Sequence, residues 1–271
     1  MSGDPLLIAA LLALGACGGF LAGLLGIGGG MILVPFTTVL LEANGFAHAL
    51  ALKVAVATSL ASICFTSLSS LRAHHGHGTV RWPLVAALAP GLVLGSAAGA
   101  LVAAQLPVRL LAAFFAIFVG VMATRMLRPR GTPTPRALPG AIGLLAIGVA
   151  VGAVSAWVGA GGAFMLVPFL LARQVSMHQA VGSSAALGFP IALAGGLGYV
   201  LSSPNAADQL PAGMLGFVYL PALAGLSAAS VLTAPLGARA AQRMNVQQLR
   251  RVFAVMLYGI AGYMLLRALR P

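Results

Sequence analysis

Two glycine clusters and a set of paired hydroxyls form the pattern in this chain best suited to chemistry, and that chemistry is the binding of an anion. Gly26-Ile27-Gly28-Gly29-Gly30 returns 133 positions later as Gly159-Ala160-Gly161-Gly162-Ala163. Each cluster runs into an apolar segment ending in Val-Pro-Phe, Met31 to Phe36 in one and Phe164 to Phe169 in the other. A helix that starts just after such a cluster offers unpaired amides and the positive end of its dipole. Glycine lets a ligand approach that backbone closely. Two further segments open with a hydroxyl pair, Ala55-Val56-Ala57-Thr58-Ser59 and Ala180-Val181-Gly182-Ser183-Ser184, and Ser62 lies one turn beyond the first. The candidate binding residues are therefore Gly26, Gly28, Gly29, Gly30, Thr58, Ser59, Ser62, Gly159, Gly161, Gly162, Ser183 and Ser184.

Other chemistries are poorly supplied. No acidic residue lies inside an apolar segment, which argues against a cation site, and no paired carboxylates, Ser/His/Asp set or metal-ligand cluster falls within one. An enzyme is not expected, nor a cofactor. Cys17 and Cys64 sit in apolar runs and read as inert thiols. His74, His75 and His77 fall in a stretch read as a loop, Arg72 to Arg81, without a carboxylate or thiol to complete a metal site. Glu42, His48 and His178 fall at turns and are the candidates for a proton relay. An anion leaving a negative interior gains ~2.3 kcal/mol per charge per 100 mV, so export needs no coupled ion.

Composition sets the solvent. With 60% hydrophobic and 7% charged residues and a mean hydropathy of +1.03, the chain cannot cover itself with a water-facing surface. It reads as an integral membrane protein. The formal charge of +12 comes from 14 Arg and one Lys scattered over the ends of apolar segments. That distribution suits topology and anionic lipid head groups, not nucleic acid.

The elements that must position the site follow from punctuation. Leu6 to Leu25 carries Gly15, Gly19 and Gly23 at four-residue spacing, a face for close helix contact. Met31 to Leu41 is short for a span of ~20 residues, so the first two segments read as a hairpin with a deep glycine tip. Val54 to Leu71 has a hydroxyl stripe, Thr58, Ser62, Thr66 and Ser69, at helical spacing. Trp82 to Ala104 repeats the glycine spacing at Gly91, Gly95 and Gly99, and Pro107 opens a fifth segment ending near Leu127. Arg128 to Pro139, with four prolines and three arginines, is a polar linker. The second half then repeats the order, with Ile142 to Val158 and Phe164 to Ala172 as its hairpin. Pro190 stands where the first half has Phe65, which predicts a more apolar and kinked helix.

Counting basic residues orients the halves. With five crossings per half, 11 of the 15 basic residues fall on one side, whereas four crossings per half split them 8 to 7. The expected fold is an all-α polytopic membrane protein of about ten segments. These form two five-segment inverted repeats, each opening with a glycine-broken helical hairpin. Residues 1–127 form the first repeat, 128–139 a cytoplasmic linker and 140–271 the second repeat. Both termini are then external, and the glycine tips enter from opposite faces to meet near the midplane.

The two G-x-G-G tips with their following Val-Pro, the matched hydroxyl helix starts and the central linker together resemble the sulfite exporter TauE/SafE family of membrane permeases, over about Gly15 to Leu266. The resemblance implies a secondary transporter, an exporter of small sulfur-containing anions such as sulfite, sulfoacetate or other organosulfonates, in a bacterial inner membrane. It carries over Gly26, Gly28, Gly29, Gly159, Gly161 and Gly162 as motif residues, with Ala163 in the place of Gly30. The partners it implies are a small anion, the lipid bilayer and, as a homodimer, a second copy of the chain. An anion channel of the same architecture is the alternative; a membrane enzyme or an assembly subunit fits the residues less well.

Overall fold

The computed structural model describes residues 5–25, 29–127, 137–202, 212–241 and 246–269. Among these, the helices are α1 (Pro5–Leu25), α2 (Gly30–Ala43), α3 (His48–Gly76), α4 (Trp82–Gln105), α5 (Val108–Leu127), α6 (Ala141–Val158), α7 (Ala163–Leu171), α8 (Met177–Leu201), α9 (Leu220–Ala241) and α10 (Val246–Leu269). One antiparallel hairpin, β1 (Met214–Leu215) with β2 (Val218–Tyr219), precedes α9 and pairs Met214 with Tyr219. The chain is an all-α polytopic membrane protein apart from that hairpin.

Seven helices, α1, α3, α4, α5, α6, α8 and α9, are long and apolar enough to cross a membrane. The other three are not equivalent to them. α2 has 14 residues and α7 only 9, so at 1.5 Å per residue they reach about 21 and 14 Å, short of a ~30 Å hydrocarbon core. The apolar part described in α10 is Ala254–Leu269. Large aliphatic side chains such as Ile117, Ile142, Leu197 and Val255 point outward, as lipid requires, while the hydroxyls gather inside.

Glycine ladders join the helices. α1 packs along α9 and α4 along α6. A Cβ on Gly15 would lie 2.5 Å from the Leu226 carbonyl oxygen, and one on Gly99 would lie 2.7 Å from the Ala153 Cα. Gly91 and Gly95 are pressed against the carbonyls of Leu145 and Val149 in the same way. Backbones this close leave no room for a side chain, which is how membrane helices gain dispersion energy where lipid offers no hydrophobic drive. The remaining main contacts pair α3 with α8, α3 with α9, α4 with α8 and α5 with α10.

Three sequence expectations need comment. The segment expected over Val54 to Leu71 is longer, because α3 continues to Gly76 and takes in half of the expected histidine loop. Ala73, His74 and His75 contain no breaker, and basic side chains suit a helix C-terminus, so the turn waits for Gly76 and the left-handed Gly78 at φ 65°. α8 runs from Met177 to Leu201 as one helix through Pro190. Residues 128–136, most of the expected linker, lie outside the described residues, as do Gly26 and Gly28.

Candidate functional site

Each short helix starts from a glycine in the left-handed region. Gly29 precedes α2 with φ 62° and ψ −20°, and Gly162 precedes α7 with φ 74° and ψ −14°; neither helix start has a side-chain cap. Only glycine takes these angles without strain. The amides of Met165 and Leu166 both bond the Gly162 carbonyl at 3.0 Å, so the first two N–H groups of α7, on Ala163 and Phe164, precede the helical ladder. Pro35 and Pro168 stand at the same place in the two helices, five residues beyond the first.

The two tips touch. A Cβ on Gly30 would run into the carbonyl of Gly159 and come within 2.9 Å of the Ala160 Cα. The Ser59 hydroxyl donates to the same Gly159 carbonyl at 3.0 Å, tying α3 of the first half to the tip of the second. This contact explains the mismatch between the clusters. Gly30 has to be glycine because a backbone carbonyl faces it, whereas Ala163 faces an open space and its methyl is accommodated.

The hydroxyl pairs divide their work. Thr58 accepts a hydrogen bond from the Tyr219 amide at 3.0 Å, and Ser183 accepts one from the Arg81 amide at 3.0 Å. Tyr219 and Arg81 are the residues just before α9 and α4, so each first hydroxyl satisfies an orphan N–H at the start of a helix in the other half. Ser62 and Ser184 are fully buried and their oxygens have no partner. Since a buried hydroxyl without a partner costs about 1–3 kcal/mol, these two ask for a ligand or water.

A small cavity opens beside the second tip. Its wall takes Ala22 and Gly23 from α1, Ile63, Thr66, Ser67 and Ser70 from α3, Gly161 and Ala163 from the tip, Ser184, Ala185 and Gly188 from α8, and Ala234 from α9. Four hydroxyls and the start of α7 are its polar features, and no charged side chain lines it. Thr66 also bonds the Ser230 hydroxyl of α9 at 2.8 Å, which fixes one wall.

Of the twelve residues singled out from sequence, Gly161 and Ser184 line this cavity and Gly162 starts the helix that points at it. Gly30, Ser59 and Gly159 form the contact between tips, and Thr58 and Ser183 hold helix starts. Gly29 starts α2, and Ser62 is buried but is not on the cavity wall. The wall residues Thr66, Ser67, Ser70 and Gly188 were not among the twelve. The hydroxyl stripe of α3 was the available signal for Thr66 alone. His74 is used locally, bonded to Thr79 at 3.2 Å, and His75 packs edge-on against Trp82. Among the described residues no three His, Cys, Asp or Glu side chains gather as a metal site would require.

Comparison with known proteins assigns the chain to a family. The sequence profile described as "Sulfite exporter TauE/SafE" matches residues 11–264. A probable membrane transporter protein of Haemophilus influenzae is 35% identical over 258 residues, covering 94% of this chain and 97% of the relative. One from Xylella fastidiosa is 29% identical, with 92% of each chain covered, and one from Methanocaldococcus jannaschii is 26% identical, with 96% and 94% covered. No solved structure matches. With its family profile spanning nearly the whole length, the chain belongs to the sulfite exporter TauE/SafE family and is a multi-pass membrane transporter, not an enzyme.

Proposed function

We propose that the protein is a secondary transporter, working as an exporter, of small sulfur-containing anions such as sulfite and organosulfonates, and that the anion binds in the cavity beside the second glycine tip. The observation that carries this reading is Ser184: its hydroxyl is fully buried, has no partner and lies on the wall shared with the start of α7. A helix start and convergent hydroxyls supply donors and a positive dipole end without a full counter-charge. Such a site holds an oxyanion weakly enough to release it.

The distribution of basic residues supports reading the halves as an inverted repeat, and the packing is consistent with the two-fold relation this requires. Exchanging the halves turns α1 on α9 into α6 on α4, and α3 on α9 into α8 on α4, and returns α3 with α8 and α5 with α10 to themselves. In that frame the tips approach from opposite leaflets, the segment 128–139 is cytoplasmic and the termini are external. The apolar plug of Phe217, Val218 and Tyr219, buried with Phe46 and Tyr199, then closes the external end and favours a carrier over an open channel. Flux of sulfite or sulfoacetate into proteoliposomes tests the reading. Ser184→Ala and Gly161→Leu should each slow it, and normal flux in both variants would remove the cavity as the site.

A further inference from the structure

Ser155 stands 133 positions after Ala22, the offset that relates the two glycine clusters, and the two residues hold matched places. A Cβ on Gly29 would lie 3.2 Å from the Ala22 Cβ, and one on Gly162 would lie 3.1 Å from the Ser155 hydroxyl. Ala22 lines the open cavity, whereas Ser155 is 1% exposed and its hydroxyl has no partner. Two other wall residues correspond to serines as well. Ser184 answers Ser59 in the paired hydroxyl segments, and Ala234 answers Ser96 by the offset that sets Leu236-Gly237-Ala238 on Ala98-Gly99-Ala100. Ser59, Ser96 and Ser155, all buried, therefore hold the positions that would line a counterpart of the cavity beside the first tip.

That counterpart is packed shut. Ile191 and Gly195 answer the wall residues Thr66 and Ser70 by the 125-residue offset between Ser59 and Ser184. Ile191 Cδ1 is 2.7 Å from the point that a Gly162 Cβ would occupy, on the place where the Ser155 hydroxyl points. A Cβ on Gly195 would lie 2.6 Å from the Ser96 hydroxyl and 3.1 Å from Leu60 Cδ1. Ser59 donates to the Gly159 carbonyl at 3.0 Å and Ser96 to the Ile191 carbonyl at 2.7 Å. Ser184, the equivalent of Ser59, makes no such bond. One side of the tip pair is latched and the other is open.

We propose that Ser59, Ser96 and Ser155 form a second oxyanion site, closed in this conformation, which takes the anion toward the opposite side of the membrane once the bond from Ser59 to Gly159 opens. The proposal deepens the transport reading above and rests on it. Ser155 is the residue that packing does not explain. A buried hydroxyl without a partner is costly, and alanine already serves at the equivalent place in the first half. Ser59 and Ser96 regain their donors when the carbonyls they hold move away. Gly30, the first residue of α2, is seated on the same Gly159 carbonyl that holds Ser59, so parting the tips uncovers that helix start and the hydroxyl together. Three neutral donors and the positive end of a helix dipole then repeat the chemistry of the open cavity, which suits a small oxyanion.

The test compares Ser155→Ala with the wild type, as full-length chain, with methanesulfonate as the probe. Alanine suits the position, and the hydroxyl has no bond to lose, so the variant should melt at or above the wild-type temperature. Its flux in proteoliposomes should fall about tenfold or more. The rise in melting temperature that methanesulfonate gives by binding the open cavity should stay at the wild-type value. Access is read on Ser155→Cys in a chain carrying Cys17→Ser and Cys64→Ser. A charged thiol reagent should label it slowly, about tenfold faster once Ser59→Ala is added, and methanesulfonate should slow the faster labelling. Wild-type flux in Ser155→Ala, a lost thermal shift in that variant, or labelling that Ser59→Ala leaves unchanged would each overturn the second site. With Ser184→Ala still impaired, any of these leaves the transport reading standing. Absence of both methanesulfonate flux and stabilisation in the wild type would instead remove the transport reading, and the second site with it.

Discussion

Gly30 is seated directly on the carbonyl of Gly159, 129 positions away along the chain, with no space for a methyl group. Two helix starts that touch in this way cannot move independently. Gly30→Ala is therefore expected to push the tips apart at a cost of about 1–3 kcal/mol and to slow anion flux, while Ala163→Gly, which only enlarges the cavity, should leave the fold intact. Melting temperature and proteoliposome flux measured on both variants check the pair. Equal behaviour of the two would show that the contact is incidental.

Ser184→Ala should weaken anion binding without unfolding the protein. The hydroxyl has no protein partner to lose, so removing it relieves a buried unsatisfied group while deleting one donor to a charged ligand. A hydrogen bond to a charged group is worth about 1.5–3 kcal/mol, or roughly ten- to hundredfold in affinity. The stabilisation of the folded form by added anion, read as a shift in melting temperature, should fall accordingly while the ligand-free melting temperature stays level or rises.

The glycine ladder makes the opposite prediction. Gly95→Val places a side chain against the Val149 carbonyl, a rigid backbone neighbour that cannot swing aside. Loss of folded protein, or a melting temperature many degrees lower, is expected from detergent-solubilised samples. The same change at Gly259, where a Cβ meets nothing within 4 Å, should be tolerated.

Helix ends were legible where the chain punctuates itself. The segments expected from Leu6, Trp82 and Ile142 begin within one residue of α1, α4 and α6, because Pro5, Pro83 and Gly140 mark those starts and apolar length fixes the rest. The four-residue glycine spacings likewise pointed to close helix contact, and Gly15, Gly19, Gly91, Gly95 and Gly99 all meet another backbone. Partners were not legible. Nothing local says that Gly15 meets Leu226, that Thr58 will satisfy the amide of Tyr219, or that Glu42 will find Arg267 at the other end of the chain. The β1–β2 hairpin was missed for the same reason, since its last strand is held by a bond from α3 and by Phe46, not by its own propensity. The cavity wall was half legible: Thr66 belonged to the stripe, but Ser67 and Ser70 gain their importance only from the helices opposite.

The matched bonds Thr58 to Tyr219 and Ser183 to Arg81 lead to the last prediction. Each joins a hydroxyl of one long helix to the residue entering a helix of the other half. At the Tyr219 end the surroundings are sealed, with Phe217, Val218 and Tyr219 all under 5% exposed. Thr58→Val keeps the shape and removes the acceptor, leaving the Tyr219 amide buried and unpaired at a cost of about 1–3 kcal/mol. That cost falls on the sealed state alone, so the open population at this end should grow by roughly 5- to 150-fold. Thiol labelling of Phe217→Cys, in a chain carrying Cys17→Ser and Cys64→Ser, reads the change. Faster labelling with Thr58→Val and unaltered labelling with Ser183→Ala is the expected result; equal labelling in both would mean that the Thr58 bond does not hold this end shut.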